Sequence, residues 1–372
     1  MKIDKDLAAQ LEAEYNTLMG NSVDVEPEAE PEPEPEPSVS LPTLEPHAAW
    51  PAHAMFSDVF AAEEWLKTEG MVDLPVPQFK PDDWPAEARA MIPALPSYWH
   101  HNKAVMYGIA QAVYNGDTTL LTGATGTGKT SALFAFAAEC GIPVWLTSCY
   151  ERMEHTDFVG SASLRADAET GANITEYNPT QLVNSLRYGG MSVVDEAFRS
   201  PTLMAIQPLL EDRHTLVLAD ADGLEEHERV LTGEDGKWWI MLTDNTTGTG
   251  DHTGNYNAVV QDLSTLDRIT STLAVPYNPR DVEIEIMLKA VPSLPRHMAT
   301  NMVNVAHEVR SAFERGTVLQ TMSMRALLSW ARKWSTMHNL NAAFKQSFYS
   351  KLDPESRGVV AEIWQQVMAT EL

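Results

Sequence analysis

Eight consecutive residues, Gly123-Ala124-Thr125-Gly126-Thr127-Gly128-Lys129-Thr130, follow the pattern Gly-x-x-x-x-Gly-Lys-[Ser/Thr]. The apolar run Thr118 to Thr122 before them reads as a short buried strand, and Ser131 to Cys140 after them reads as a helix. In that setting the glycines let successive backbone N–H groups turn inward around phosphate oxygens, and the helix N-terminus adds partial positive charge. Lys129 is placed to reach the outer phosphates and Thr130 to ligate Mg²⁺. The pattern points to a bound nucleoside triphosphate; a glycine turn with an incidental lysine is the bland alternative.

About 65 residues further on, Met191-Ser192-Val193-Val194-Asp195-Glu196 is an apolar strand ending in two carboxylates. A phosphate-loop enzyme needs one acid there for the Mg²⁺ shell and a second to polarise water for attack on the γ-phosphate, which assigns Asp195 to the metal and Glu196 to the water. Alone, such a pair is an ordinary solvated strand end. The next strand, Trp238 to Leu242, runs into Thr243-Asp244-Asn245-Thr246, where Asn245 can hydrogen-bond the attacking water. Leu266-Asp267-Arg268-Ile269 supplies a permanently charged guanidinium of the kind that stabilises phosphoryl charge, although an Asp-Arg pair is more often a surface ion pair.

Positioning these groups requires alternating strands and helices. From residue 100 the pattern gives helices at 101–115, from 129 and at 201–211, and strands at 118–122, 143–147, 191–194 and 238–243. Such alternation means a parallel sheet covered on both faces. After Pro279 the strand signal vanishes and 280–372 reads as a small helical domain. Upstream, 1–23 carries Leu7, Leu11, Tyr15 and Leu18 at helical spacing. Residues 24–46 form a Glu/Pro-rich spacer, expected to be disordered, and 47–99 a Pro- and aromatic-rich extension read as irregular wrapping on the 100–279 nucleotide domain.

Composition narrows the function. The net charge of −26 is concentrated at the front, where residues 1–90 hold 20 acidic and 5 basic side chains. That field opposes nonspecific binding to nucleic acid or anionic lipid. With no apolar run of about 18 residues and no basic segment leading into an apolar one, neither a membrane span nor a secretory signal is indicated, and a cytoplasmic protein is expected. Cys140 and Cys149 are expected as buried reduced thiols. His100-His101 and the scattered histidines match no zinc spacing.

The order of parts, glycine loop, Asp195-Glu196, Arg199, Asn245, Leu266-Asp267-Arg268 and Ser323-Met324-Arg325, resembles the AAA+ ATPases of the MoxR group, in particular their cobaltochelatase ATPase-subunit branch. More specific stretches carry the likeness: Asp157-Phe158-Val159-Gly160, the glycine- and threonine-rich run Thr246 to Gly254, Thr321 to Trp330, and Phe344 to Trp364. The first 90 residues have no counterpart in it. The resemblance implies an α/β AAA+ core with a C-terminal helical lid, ATP and Mg²⁺ as ligands, and a homo-oligomeric ring, expected as a hexamer. It makes Asn245 a first sensor, Arg325 a second sensor carried by the lid, Arg268 a finger reaching a neighbour's ATP, and Arg199 a further intersubunit candidate. Ser161 to Tyr177 reads as a hairpin near the pore. Implied partners are a von Willebrand type A domain protein or a chelatase subunit; any metal insertion would fall to another subunit. One departure is Ala197-Phe198, which lacks the acid expected after the Asp-Glu pair and leaves the same chelatase partners open. Two other readings stand beside the motor: a nucleotide-dependent switch or scaffold without steady turnover, and a DNA-processing ATPase, which the acidic balance disfavours.

Overall fold

Short apolar runs rich in Leu, Val, Ile and Trp, separated by helix-forming stretches, bury best as parallel strands between helices, and the chain builds that arrangement. The computed structural model describes residues 43–166, 172–219, 221, 224–251, 254 and 256–372. The expected helix in 1–23 and the spacer lie in or largely in residues outside the described ones. Residues 43–372 form a single unit by their contacts.

The extension opens with an antiparallel ribbon of β1 (His53–Met55) and β2 (Pro75–Pro77) around short helices at Phe56–Phe60 and Glu63–Glu69. The expectation of irregular wrapping is therefore corrected. Phe56, Phe60 and Val76 are buried in one cluster with Met106, Phe136 and Met191, and backbone entering such a core must pair its own N–H and C=O groups.

Next come β3 (Thr119–Thr122), β4 (Val144–Ser148), hairpin strands β5 (Ser161–Ala166) and β6 (Asn173–Asn178), then β7 (Gly190–Asp195). A second hairpin of β8 (Thr215–Val217) and β9 (Val230–Thr232), then β10 (Trp238–Asp244) and β11 (Ser271–Ala274), complete the strands. Five of them form a wholly parallel sheet in the order β11-β3-β10-β7-β4. Its register aligns Leu273, Leu121, Thr243, Asp195 and Ser148 in one row across the sheet. The C-terminal strand ends, where ligands of open α/β sheets bind, thus share one edge. Edge strand β11 has no counterpart in the sequence reading, because four residues of Ser-Thr-Leu-Ala carry too short and polar a pattern.

The helix expected at 201–211 is instead a 3₁₀ helix, Leu203–Leu209. Pro208 inside it has no N–H to give an α-ladder. The preceding helix Lys103–Asn115 is capped by Asn102, whose side chain accepts from the Val105 N–H, and ends at Gly116 in the left-handed region.

Beyond residue 279 the chain is helical: Arg280–Ala290, Arg296–Glu314, Met324–Met337, Leu340–Ser347 and Pro354–Met368. These helices enclose a core of their own around Trp330, Phe344 and Trp364, with ring centroids 4.7 to 5.6 Å apart. No described helix is long and apolar enough to cross a membrane. Both cysteines are free and buried; burial pushes the Cys149 thiol up to about 12 and Cys140 higher still.

Candidate functional site

The phosphate loop leaves the end of β3 and feeds the helix Lys129–Cys140, so Thr130 stands in its first turn. The loop's tip needs glycine at position 126: φ is 78°, and a Cβ there would lie 2.1 Å from Cβ of Ser323. Ser323 caps the helix that carries Arg325, accepting from the Ala326 N–H. Lid and loop therefore touch backbone to side chain.

The Lys129 ammonium donates to the Gly123 carbonyl at 2.8 Å, the Ala124 carbonyl at 3.1 Å and Oδ1 of Asn245 at 2.8 Å. Lys129 is only 9% exposed. Burial pushes its pKa down to about 8, outweighing the opposing pull of Asp244, Asp195 and Glu196. The Thr130 hydroxyl donates to Oδ1 of Asp195 at 2.6 Å, and the Thr243 hydroxyl donates to the same oxygen. Asp244 serves the scaffold instead, accepting from the backbone N–H groups of Phe198 and Thr246.

Glu196 sits at φ 55°, a left-handed conformation rare for a residue with a side chain. Its Oε2 lies 3.1 Å from Nε of Arg199, in a pair about two-fifths exposed on both sides. Strain of this kind gathers at functional sites.

A cleft of about 650 Å³ gathers these groups: Lys129, Thr130, Asp195, Glu196 and Asn245 on the sheet side, and Arg325 from the lid. Its lining is also aromatic. Tyr98, Trp99 and Phe134 line it, and the Trp99 ring would lie 3.9 Å from a Cβ at Gly128. A second lid arginine, Arg332, lines it too, with its guanidinium 5.6 Å from the Tyr98 ring centre. A cleft lined by a phosphate-binding loop and by aromatic faces can accept an anionic chain joined to a flat ring.

Thr130 and Asp195 present a hydroxyl and a carboxylate, hard oxygen donors of the kind Mg²⁺ takes beside phosphate oxygens and water. They fit that ion. Among the described residues no group of three or more His, Cys, Asp or Glu side chains forms a metal cage, so the ion's remaining ligands must come from elsewhere.

Two of the expected residues lie outside the cleft lining. Arg199 reaches the cleft only through Glu196. Arg268, at the C-terminus of the helix Leu263–Asp267, is turned to Glu211, with Nε 2.9 Å from Oε1, and its Nη1 donates to the Ser264 carbonyl. It does not line its own chain's cleft. Sequence reasoning missed Tyr98, Trp99 and Arg332. The seven-residue interval between Arg325 and Arg332, which places both on one helix face, was the available signal for the last. The hairpin expected over Ser161 to Tyr177 is present as β5 and β6, with Leu164 and Ile174 exposed.

Residues 118–253 match the family described as AAA domain (dynein-related subfamily), and residues 283–367 match CbbQ/NirQ/NorQ C-terminal. The chain is 28% identical over 308 residues to the aerobic cobaltochelatase subunit CobS of Sinorhizobium sp, covering 81% of this chain and 88% of that protein. It is 31% identical over 106 residues to the denitrification regulatory protein NirQ of Pseudomonas aeruginosa, covering 28% of this chain and 38% of the relative. Among solved structures, the Thermotoga maritima RuvB Holliday junction branch migration motor shares 15% identity at a TM-score of 0.39, over 71% of this chain and 67% of that one.

Proposed function

From the premise that the chain belongs to the MoxR group of AAA+ ATPases and is similar to CobS, we propose that it hydrolyses ATP in a ring of identical copies and uses the turnover to remodel a partner protein. The observation that carries this reading is convergence. Lys129, Thr130, Asp195, Glu196 and Asn245 come from separate strand ends and loops yet line one cleft.

In this reading the loop from Gly123 to Thr130 cradles the phosphates through its backbone N–H groups, and Lys129 exchanges its loop carbonyls for phosphate oxygens. Thr130 and Asp195 would hold Mg²⁺, which when bound would neutralise charge on the transferring phosphoryl group. Glu196 takes the proton of the attacking water, and Asn245 orients that water from the neighbouring strand end. Arg199 sits beside the Glu196 carboxylate and holds it by an ion pair until the water is in place. Arg325 closes on the phosphates with the lid. Arg268, tied to Glu211 and turned away from its own cleft, serves the cleft of the adjoining copy. A residue acting in trans requires a head-to-tail interface, and such interfaces close into rings; a hexamer fits the family.

The remodelled partner is proposed to be a chelatase subunit or a protein with a von Willebrand type A domain, in the cytoplasm, with any metal chemistry performed on that partner. ATPase turnover of the purified chain tests the core of the proposal. Lys129→Ala should lose nucleotide binding, and Glu196→Gln should keep binding while losing turnover; unchanged turnover in both variants would refute it. Arg268→Ala should abolish turnover with nucleotide affinity intact. Mixing it with Glu196→Gln protomers should restore partial activity, and no recovery in the mixture would place the finger elsewhere.

A further inference from the structure

Between the sheet domain and the lid lies a connected set of side chains that the catalytic reading does not use. Tyr277, just after β11, donates its hydroxyl to the Thr125 carbonyl at the tip of the phosphate loop, at 2.7 Å. The same oxygen lies 3.1 Å from the Thr321 hydroxyl, two residues before the cap of the Arg325 helix. The Arg310 guanidinium is stacked over the Tyr277 ring, 4.0 Å from its centre. Arg310 also donates through Nε to the Met322 carbonyl at 2.8 Å and through Nη1 to Glu283 at 2.9 Å. Glu283 is fully buried, Arg310 is 4% exposed, and His307 completes the cluster at 3.2 Å from the Glu283 carboxylate.

Burying an ion pair seldom stabilises a fold more than apolar packing would, so a pair this deep calls for another role. Here one arm of Arg310 ends at the Met322 carbonyl, just before the cap of the Arg325 helix, the other is anchored on Glu283, and its face holds Tyr277 flat. The tyrosine then has one hydroxyl for two elements, the loop tip on one side and the start of the lid helix on the other. The peptide unit is planar and trans, so a carbonyl of Thr125 fixed toward Tyr277 fixes the Gly126 N–H pointing the opposite way. Ser323 seated on Gly126 closes the same junction.

We infer that Tyr277, held by Arg310 on Glu283, is a positioning residue that couples the phosphate loop to the lid, so that the orientation of the loop amides and the placement of Arg325 are set together. This rests on the cleft binding a nucleotide, as proposed above, but not on its being hydrolysed.

The test is a double-mutant cycle on the affinity of the full chain for a non-hydrolysable ATP analogue with Mg²⁺, measured by calorimetry. Tyr277→Phe keeps the ring under Arg310 and removes only the hydroxyl, and should weaken binding by about threefold to tenfold, the size of one lost hydrogen bond. In the Arg325→Ala background the same change should cost less than twofold, because the placement it supports has no arginine left to deliver. Thr321→Val, which removes only the lid-side bond, should behave in the same way. Hydrogen exchange without nucleotide gives a second readout: Tyr277→Phe should speed exchange at residues 125–127 and 323–326 together while the lid core stays protected. Wild-type affinity in Tyr277→Phe, equal losses in both backgrounds, or exchange that rises at only one of the two segments would overturn the inference. Binding without hydrolysis in the wild type would instead refute the motor and leave this coupling standing.

Discussion

Lys129 provides a quantitative handle on the cleft. Its ammonium is buried among loop carbonyls and Asn245, and burial brings its pKa down to about 8 from its ordinary value of 10.5. Phosphate oxygens brought beside it hold it charged, so nucleotide binding takes up a proton wherever the free lysine is neutral. Affinity must therefore fall as pH rises above about 8. The apparent dissociation constant scales as one plus ten to the power of pH minus pKa, giving factors of ~1.1 near pH 7, ~2 near pH 8 and ~11 near pH 9. The last corresponds to about 1.4 kcal/mol. A lysine with its ordinary pKa would change affinity by only about 3% over the same range. Calorimetric titration with a non-hydrolysable analogue and Mg²⁺ at these three pH values measures the factor directly. Repeating it near pH 8.5 in buffers of different ionisation enthalpy counts the protons. Lys129→Arg, whose guanidinium does not deprotonate, should bind with a flat profile. A wild-type dissociation constant constant within twofold from about pH 7 to 9 would refute the account of the buried lysine. The same shift also acts on folding. The unfolded chain binds more protons between about 8 and 10.5, so stability without nucleotide should rise with pH across that window.

Gly126→Ala places a Cβ against Ser323 at a left-handed φ and should cost about 1–3 kcal/mol in chemical denaturation while weakening nucleotide binding; an unchanged midpoint would show that the lid yields freely there. Trp330→Ala removes the centre of the lid's own core and should destabilise by about 3–5 kcal/mol, with hydrogen exchange rising across 296–368 before the sheet. Simultaneous loss of protection in both domains would show that the lid has no independent cooperative unit. Glu211→Ala releases Arg268 from its ion pair and should lower kcat severalfold at unchanged nucleotide affinity; wild-type kcat would mean that the pair does not aim the arginine.

The phosphate loop, the Asp195-Glu196 strand end and Asn245 were legible because each is a short motif whose chemistry depends on local order: strand, loop, helix. Four of the five sheet strands were legible for the same reason, since buried parallel strands read as continuous apolar runs. Strand β11 was not, because four polar-edged residues on a sheet margin gain their pairing from β3 rather than from their own pattern. The helix read at 201–211 takes the 3₁₀ form over Leu203–Leu209, a distinction that apolar spacing does not carry and that Pro208 imposes.

Residue type and spacing alone singled out the glycine loop, the Asp195-Glu196 pair and Asn245 as candidates for phosphoryl chemistry, and the alternation of strands and helices that is followed by a helical region. Tertiary structure decided which groups meet. It seated Tyr98, Trp99 and Arg332 in the lining of the cleft, turned Arg268 toward Glu211 and away from its own cleft, and joined loop to lid through Tyr277 and Arg310. Those contacts join residues from about 30 to over 200 positions apart, and only the packed chain brings such distant side chains within hydrogen-bonding or stacking range.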